Sequence, residues 1–369
     1  MRRLSLRISA AVAATLLLST GCAESRSALT GVPAATICTQ QSVPVTLSDA
    51  DPTAYNVVGW LCVAPDDGQG ARTVQLLVSG LTFDHNYWDT SYQPDTYSYV
   101  RAATHHGYST FNIDRLGVGR SDRPPADRLT LQAHAHSVSQ IVAMLRAGNI
   151  GGTSFQKVVG VGHSLGAGIL QYEAGTVTDP SLVPDFLILI GYLSKADPAV
   201  VAQIGANLYP AAQDPEFASS GLPAGYLTTK PGARHGLFFT DGDTDPAIVA
   251  VDEAVKTTST LAERTTVGAA RDPKVTHAVR VPVLMAVGQQ DRLACADKLG
   301  LSCANPAAVV AREAANFSAS ACLSAYVLPG AGHATNLHRN TQDAYAYGND
   351  WLDKYTIDGA VKDANGCLG

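Results

Sequence analysis

Residues 157–174 read KVVGVGHSLGAGILQYEA, and the organisation of the chain follows from that stretch. Lys157 to Val161 opens a short valine-rich run of buried-strand type, and Leu165 to Ala174 has a helix-forming composition. Between them sits Gly162-His163-Ser164-Leu165-Gly166, a G-x-S-x-G pattern with a strand before it and a helix after it. A serine at such a junction must take a strained backbone conformation that lifts its hydroxyl clear of the sheet. Its neighbours two residues away must be tiny to permit the turn. The helix start beneath supplies free N–H groups and the positive end of a dipole where negative charge develops. Ser164 is therefore read as a nucleophile, with an ordinary turn as the competing reading.

Working outward, the same alternation recurs. Val43–Leu47, Val57–Val63, Val74–Val78, Tyr108–Ile113, Phe186–Ile190, Val281–Val287 and Ser324–Leu328 have the pattern of strands. Tyr97–His105, Leu131–Leu145, Ala307–Asn316 and Gln342–Lys354 have that of helices. Strands alternating with helices predict an α/β domain built on a mostly parallel sheet. One interval breaks the rhythm. Residues 194–280 show no convincing strand, and Ala247–Glu263 reads as one helix. The interval is too long for a loop, so it predicts a small, mainly helical insertion.

With these residues in place the chain resembles the α/β-hydrolase superfamily over nearly all of residues 42–356. The resemblance implies a central sheet flanked by helices, with a core at 42–193 and 281–369 and a cap at 194–280. It implies an acid after a later strand and a histidine after the last one. Gly288-Gln289-Gln290-Asp291 matches the acid loop, and Pro329-Gly330-Ala331-Gly332-His333 the histidine loop. Serine is a weak nucleophile at neutral pH and needs a base within hydrogen-bond reach. His333 fits because imidazole titrates near neutrality. Asp291 would orient the ring and stabilise its charged form. His163 and His338 are rival bases and Asp197 is a rival acid, each less well placed by the loop pattern. Backbone amides of Leu165 and Leu81 are the expected oxyanion donors, the latter in Ser79-Gly80-Leu81-Thr82, with Thr82 as fallback. Asp114-Arg115-Leu116-Gly117-Val118-Gly119-Arg120-Ser121 superficially resembles a phosphate loop, but it lacks G-x-G-x-x-G and a Walker lysine and is read as a structural turn. Tyr192, Leu193, Tyr209, Phe217, Leu222, Tyr226, Leu237, Phe238 and Phe239, in and beside the cap, are candidates to line an apolar pocket, with packing of the cap onto the core as the alternative.

The ends of the chain speak of export. Arg2, Arg3 and Arg7 precede an uncharged, mostly apolar run from Ile8 to Thr20, too short to span a bilayer, so residues 1–22 read as a signal peptide. Ser19-Thr20-Gly21-Cys22 resembles a lipobox, which makes Cys22 a lipidation candidate. Cleavage after Ala23 and free secretion is the alternative. Residues 23–41 read as a tether. Seven cysteines less Cys22 leave six, and the simplest pairing joins Cys38 with Cys62, Cys295 with Cys303 and Cys322 with Cys367.

Of the 369 residues, 46% are hydrophobic and only 16% charged, which excludes global disorder. The net charge of −6 leaves no basic footprint, so no nucleic acid partner is expected. No metal-ligand spacing is present, and neither a metal nor a cofactor is implied. The expected activity is hydrolysis of a small-molecule carboxylic ester or thioester, apolar in character, with membrane attachment by a lipid anchor only. Acyl transfer or cyclisation by the same residues, or a non-catalytic binding protein, are the alternatives.

Overall fold

The computed structural model describes residues 37–64, 72–356 and 362–368. Eight strands form the central sheet: β1 (Cys38–Val45), β2 (Tyr55–Cys62), β3 (Thr73–Val78), β4 (Ser109–Ile113), β5 (Lys157–His163), β6 (Phe186–Ile190), β10 (Val283–Gly288) and β11 (Ser324–Leu328). Their order is β1-β2-β4-β3-β5-β6-β10-β11. β1 with β2 and β2 with β4 run antiparallel, and the remaining pairs are parallel. The parallel strands are buried along nearly their whole length because both faces of the sheet are covered. Val74, Leu76 and Val78 of β3 pack with the helices Leu131–Ala147 and Leu165–Thr176. Leu77 turns to the other face, where Tyr99, Val100, Trp351 and Leu352 pack from the helices Tyr99–His105 and Thr341–Thr356.

The segment between β6 and β10 carries the helices Pro198–Ala206, Arg234–Phe238, Pro246–Ala254 and Leu261–Thr266 and the 3₁₀ stretch Val267–Arg271. It is mainly helical, as the sequence predicts, with two corrections. A small antiparallel sheet is present, formed by β7 (Leu208–Pro210), β8 (Tyr226–Thr229) and β9 (Ser259–Thr260). Strands of two to four residues are too short for an alternation to show. The single helix expected over Ala247–Glu263 is broken after Ala254. The run Thr257-Thr258-Ser259-Thr260 is poor in helix formers, and Thr260 starts a new helix through a reciprocal capping box with Glu263.

At the N-terminal edge, β1 starts at Cys38 rather than Val43, so the end of the expected tether is strand. Its first residues are polar and largely exposed, which hides them from a hydrophobic pattern. The Cys38–Cys62 disulfide and the register Cys38↔Cys62 hold them to β2. Cys295–Cys303 closes the loop after β10, and Cys322–Cys367 ties the tail to the approach to β11. All three pairs are those the sequence suggests. Cys22 and residues 1–36 lie outside the described residues, and no described helix is long and apolar enough to cross a membrane.

Glu173, in the helix after Ser164, is fully buried, and neither carboxyl oxygen has a hydrogen-bond partner among the described residues. Burial pushes its pKa well above the usual carboxylate range, against a weak opposing pull from Arg146. The folded chain therefore keeps a proton that the unfolded chain releases above about pH 4.3, and stability falls as pH rises from there toward the folded pKa. Glu173→Gln removes that loss. Its gain in melting temperature over the parent should be larger at pH 8 than at pH 5, by thermal denaturation at both pH values; an equal gain at both would contradict a buried neutral carboxyl.

Candidate active site

Ser164 stands between the end of β5 and the helix Leu165–Thr176, with φ 52° and ψ −114°. A side chain at such angles is strained, and here the packing on both sides enforces it. The Ser164 N–H donates to Ile190 O at 2.8 Å, extending the β5–β6 ladder past the strand end. A Cβ at Gly162 would lie 2.6 Å from Ala167 N, and one at Gly166 would lie 2.0 Å from Val78 O. Backbone crosses backbone at both points, which is why neither position has room for a side chain.

Asp291 follows β10 and is fully buried. Its Oδ1 accepts from the amides of Leu293 and Ala294 at 2.9 and 3.2 Å, and its Oδ2 lies 2.8 Å from His333 Nδ1. The far ring nitrogen, Nε2, lies 2.9 Å from Ser164 Oγ. With Nδ1–H donating to the carboxylate, Nε2 is left to accept the serine hydroxyl. Three loops that are far apart in sequence thus meet in one hydrogen-bonded line. The rivals have other partners. Asp197 caps the helix Pro198–Ala206 by accepting from Ala199 N. The Nδ1–H of His338 donates to Ala334 O at 3.0 Å, and its Nε2 accepts from Gly332 N at 2.9 Å. The Nε2–H of His163 donates to His333 O at 3.0 Å, and its ring stacks on Tyr87. Burial, with His333 nearby, holds His163 well below the ordinary histidine pKa, so it stays neutral.

Ser164, Leu165 and His333 open onto a cavity of about 230 Å³. Leu81 and Phe83 line it from the loop after β3, Phe238 from the helix Arg234–Phe238, Val201 and Ile204 from the helix Pro198–Ala206, and Leu293 from the loop after β10. Of the nine candidates read from the sequence only Tyr192 and Phe238 line it. Tyr209 bonds to Asp214, Tyr226 is buried with its hydroxyl on Pro124 O, and Phe217 borders a separate surface groove.

The sequence matches the alpha/beta hydrolase family over residues 75–346, spanning from β3 into the last helix. The chain belongs to that family. Among solved structures, this α/β hydrolase is similar in fold to a thermophilic esterase from Thermogutta terrifontis, at 18% identity and a TM-score of 0.54, covering 85% of this chain and 98% of that one. It is likewise similar to a soluble variant of monoglyceride lipase from Saccharomyces cerevisiae, at 17% identity and a TM-score of 0.56, covering 86% and 97%. A Paleococcus ferrophilus monoacylglycerol lipase aligns at 16% identity and a TM-score of 0.51, covering 78% and 96%. No curated protein sequence matches the chain significantly.

Two buried arginines of this α/β hydrolase escape a reading by motif, and both hold the loop Ser79–Thr82 after β3. Arg115 donates from Nε to Ser79 O and from Nη2 to Gly80 O, each at 2.9 Å. Its Nη1 donates to Glu263 Oε1 at 2.5 Å, and Glu263 also meets His134 at 2.9 Å. Burial opposes ionisation of Glu263, but the Arg115 charge and the His134 bond outweigh it and hold the carboxyl at about 2. Arg234 donates from Nη1 to Thr82 O and Oγ1, forks onto both oxygens of Asp252 at 2.7 and 2.8 Å, and lies over the Phe83 ring. Thr82 sits at φ 59°, a conformation that needs such support. In a trans peptide the N–H points opposite to the C=O, so fixing Gly80 O on Arg115 turns the Leu81 amide away from it. Neither the Glu263 capping box, which lies inside the stretch read as one helix, nor its arginine partner, 148 residues away, is apparent from the sequence.

Removing Arg234 alone strands the buried carboxylate of Asp252, at a cost of about 3–5 kcal/mol. Arg234→Met should therefore melt several degrees below Arg234→Met/Asp252→Leu, in which no charge is left uncompensated. Equal melting temperatures for the two variants would show that the ion pair is not what fixes this corner.

Proposed function

We propose that the protein is an exported serine hydrolase that cleaves small carboxylic esters. The carrying observation is the line Ser164 Oγ–His333 Nε2–His333 Nδ1–Asp291, with its serine end on an apolar cavity. Ser164 Oγ attacks the ester carbonyl carbon as its proton passes to His333 Nε2. Asp291 keeps the imidazole in the accepting tautomer and stabilises the imidazolium, without itself taking the proton. The carbonyl oxygen becomes an oxyanion held by the amides of Leu165 and Leu81. The first belongs to a helix start whose leading N–H groups have no intrahelical acceptor, and the second is oriented by the Arg115 clamp. His333 returns the proton to the departing alcohol, leaving an acyl-serine. Water, deprotonated by the same imidazole, then releases the acid.

The insertion at 194–280 serves as a cap. Its residues Val201, Ile204 and Val267 contribute to the cavity wall, and excluding water there strengthens the charge interactions that the reaction uses. Three disulfides suit maturation in an oxidising environment, in line with a signal peptide over residues 1–22 and a lipid on Cys22.

Purified protein should hydrolyse a short p-nitrophenyl ester and be labelled by a fluorophosphonate probe. Ser164→Ala should lose the label and about three orders of magnitude or more of kcat/KM. Undiminished hydrolysis by that variant would refute the assignment. The double variant Arg234→Met/Asp252→Leu, if folded, should lose about tenfold or more in kcat with little change in KM, because the clamp acts on the transition state.

A further inference from the structure

The cavity beside Ser164 is not uniformly apolar. Its wall includes Arg264, from the helix Leu261–Thr266, and Arg271, from the end of the 3₁₀ stretch, and it includes no Asp or Glu among the described residues. Both arginines are half-buried. Arg264 has neither an ion pair nor a hydrogen bond among the described residues. Its guanidinium lies against Gly205, where a Cβ would come within 2.2 Å of Nη2, so a glycine there makes the room it occupies. Arg271 is fixed at one end only. Its Nε donates to Leu193 O at 2.8 Å and its guanidinium lies 3.9 Å from the Tyr192 ring centroid, while its two Nη groups have no acceptor among the described residues.

The nearby buried carboxylates are already engaged. Glu263 belongs to Arg115 and His134, Glu313 to Arg312 and Ser194, and Asp291 to His333. Two like charges therefore share the wall of an apolar cavity with no counter-charge, which is costly where water is sparse. Exposed arginines often go unpaired because water solvates them; half-buried ones that share a cavity wall with Leu81, Ile204 and Leu293 are a different case. A bound anion would compensate both charges. A planar carboxylate matches the free guanidinium edges, and the surrounding side chains suit an aliphatic stem.

We propose that the cavity takes an ester whose bound arm is an aliphatic chain ending in a carboxylate, held by Arg264 and Arg271 while the ester carbonyl sits at Ser164. The inference rests on Ser164 as the nucleophile and narrows the substrate class from apolar esters to half-esters of dicarboxylic acids or esters of hydroxy acids.

Two matched pairs test it. Mono-p-nitrophenyl adipate against p-nitrophenyl hexanoate probes the acyl arm, and 6-acetoxyhexanoate against hexyl acetate probes the alcohol arm. In one pair kcat/KM should favour the charged ester by about tenfold or more, the advantage should shrink with added salt, and Arg264→Met should bring the ratio toward one. Arg271→Met should lower the same ratio. No preference in either pair, or a preference that survives both substitutions, overturns the proposal. A second measurement does not depend on turnover. Ser164→Ala protein should bind monomethyl adipate more tightly than methyl hexanoate by calorimetry, and should lose that difference when Arg264→Met is added. If the parent cleaves no ester and takes no fluorophosphonate, the hydrolase reading fails by itself, and calorimetry still decides the subsite: equal affinity within this pair and also between 6-acetoxyhexanoate and hexyl acetate refutes it.

Discussion

The clamp that Arg115 places on the loop after β3 is the constraint on which the rest of the site depends. A backbone carbonyl on an exposed turn is free to rotate its peptide plane. On a turn whose Ser79, Gly80 and Thr82 are buried, with a charged fork on two successive carbonyls, it is not. The fork is itself fixed, because Glu263 takes its third nitrogen and is held ionised there. Arg234 repeats the device on Thr82, one turn further along. Ser164 and Gly166 then pack directly against that loop, so the turn that carries Ser164 and the loop after β3 share one seam.

Much of this was legible in the sequence, and the reason is local. Each of Ser164, Asp291 and His333 sits in a loop whose backbone demands small residues, and glycine leaves a mark that survives without knowledge of the fold. Gly162 and Gly166 bracket the serine, Gly288 precedes the acid, and Gly330 and Gly332 flank the approach to the histidine. The strands that carry these loops are buried on both faces, so they appear as apolar runs. The disulfides were legible because few pairings were simple: one closes a hairpin, one a short loop, and one ties down a tail.

What stayed hidden has equally physical causes. Arg115 lies inside a stretch that reads as a turn, and nothing near it announces a carboxylate 148 residues later. The start of β1 is polar because it is an edge, and its pairing is supplied by β2 and a disulfide rather than by burial. The break at Thr257–Thr260 depends on contacts with the core, such as Thr258 Oγ1 donating to Gly117 O. Arg264 and Arg271 look like ordinary surface arginines in a helical segment until the fold turns them toward the cavity. Long-range electrostatic pairing carries no periodicity, and it is the kind of information that a single sequence conceals best.

The two clamps also cross a boundary. Arg115 belongs to the core and finds its carboxylate, Glu263, in the insertion; Arg234 and Asp252 belong to the insertion and hold a core loop. The insertion is consequently not a detachable module that could be exchanged between relatives to graft a new specificity. A swapped segment lacking Asp252, Glu263 or Arg234 would leave uncompensated charge behind and slacken the turn beside the nucleophile. The cavity can be reshaped without touching the anchors only at positions such as Val201, Ile204 and Arg264, which line it and make none of the clamp contacts.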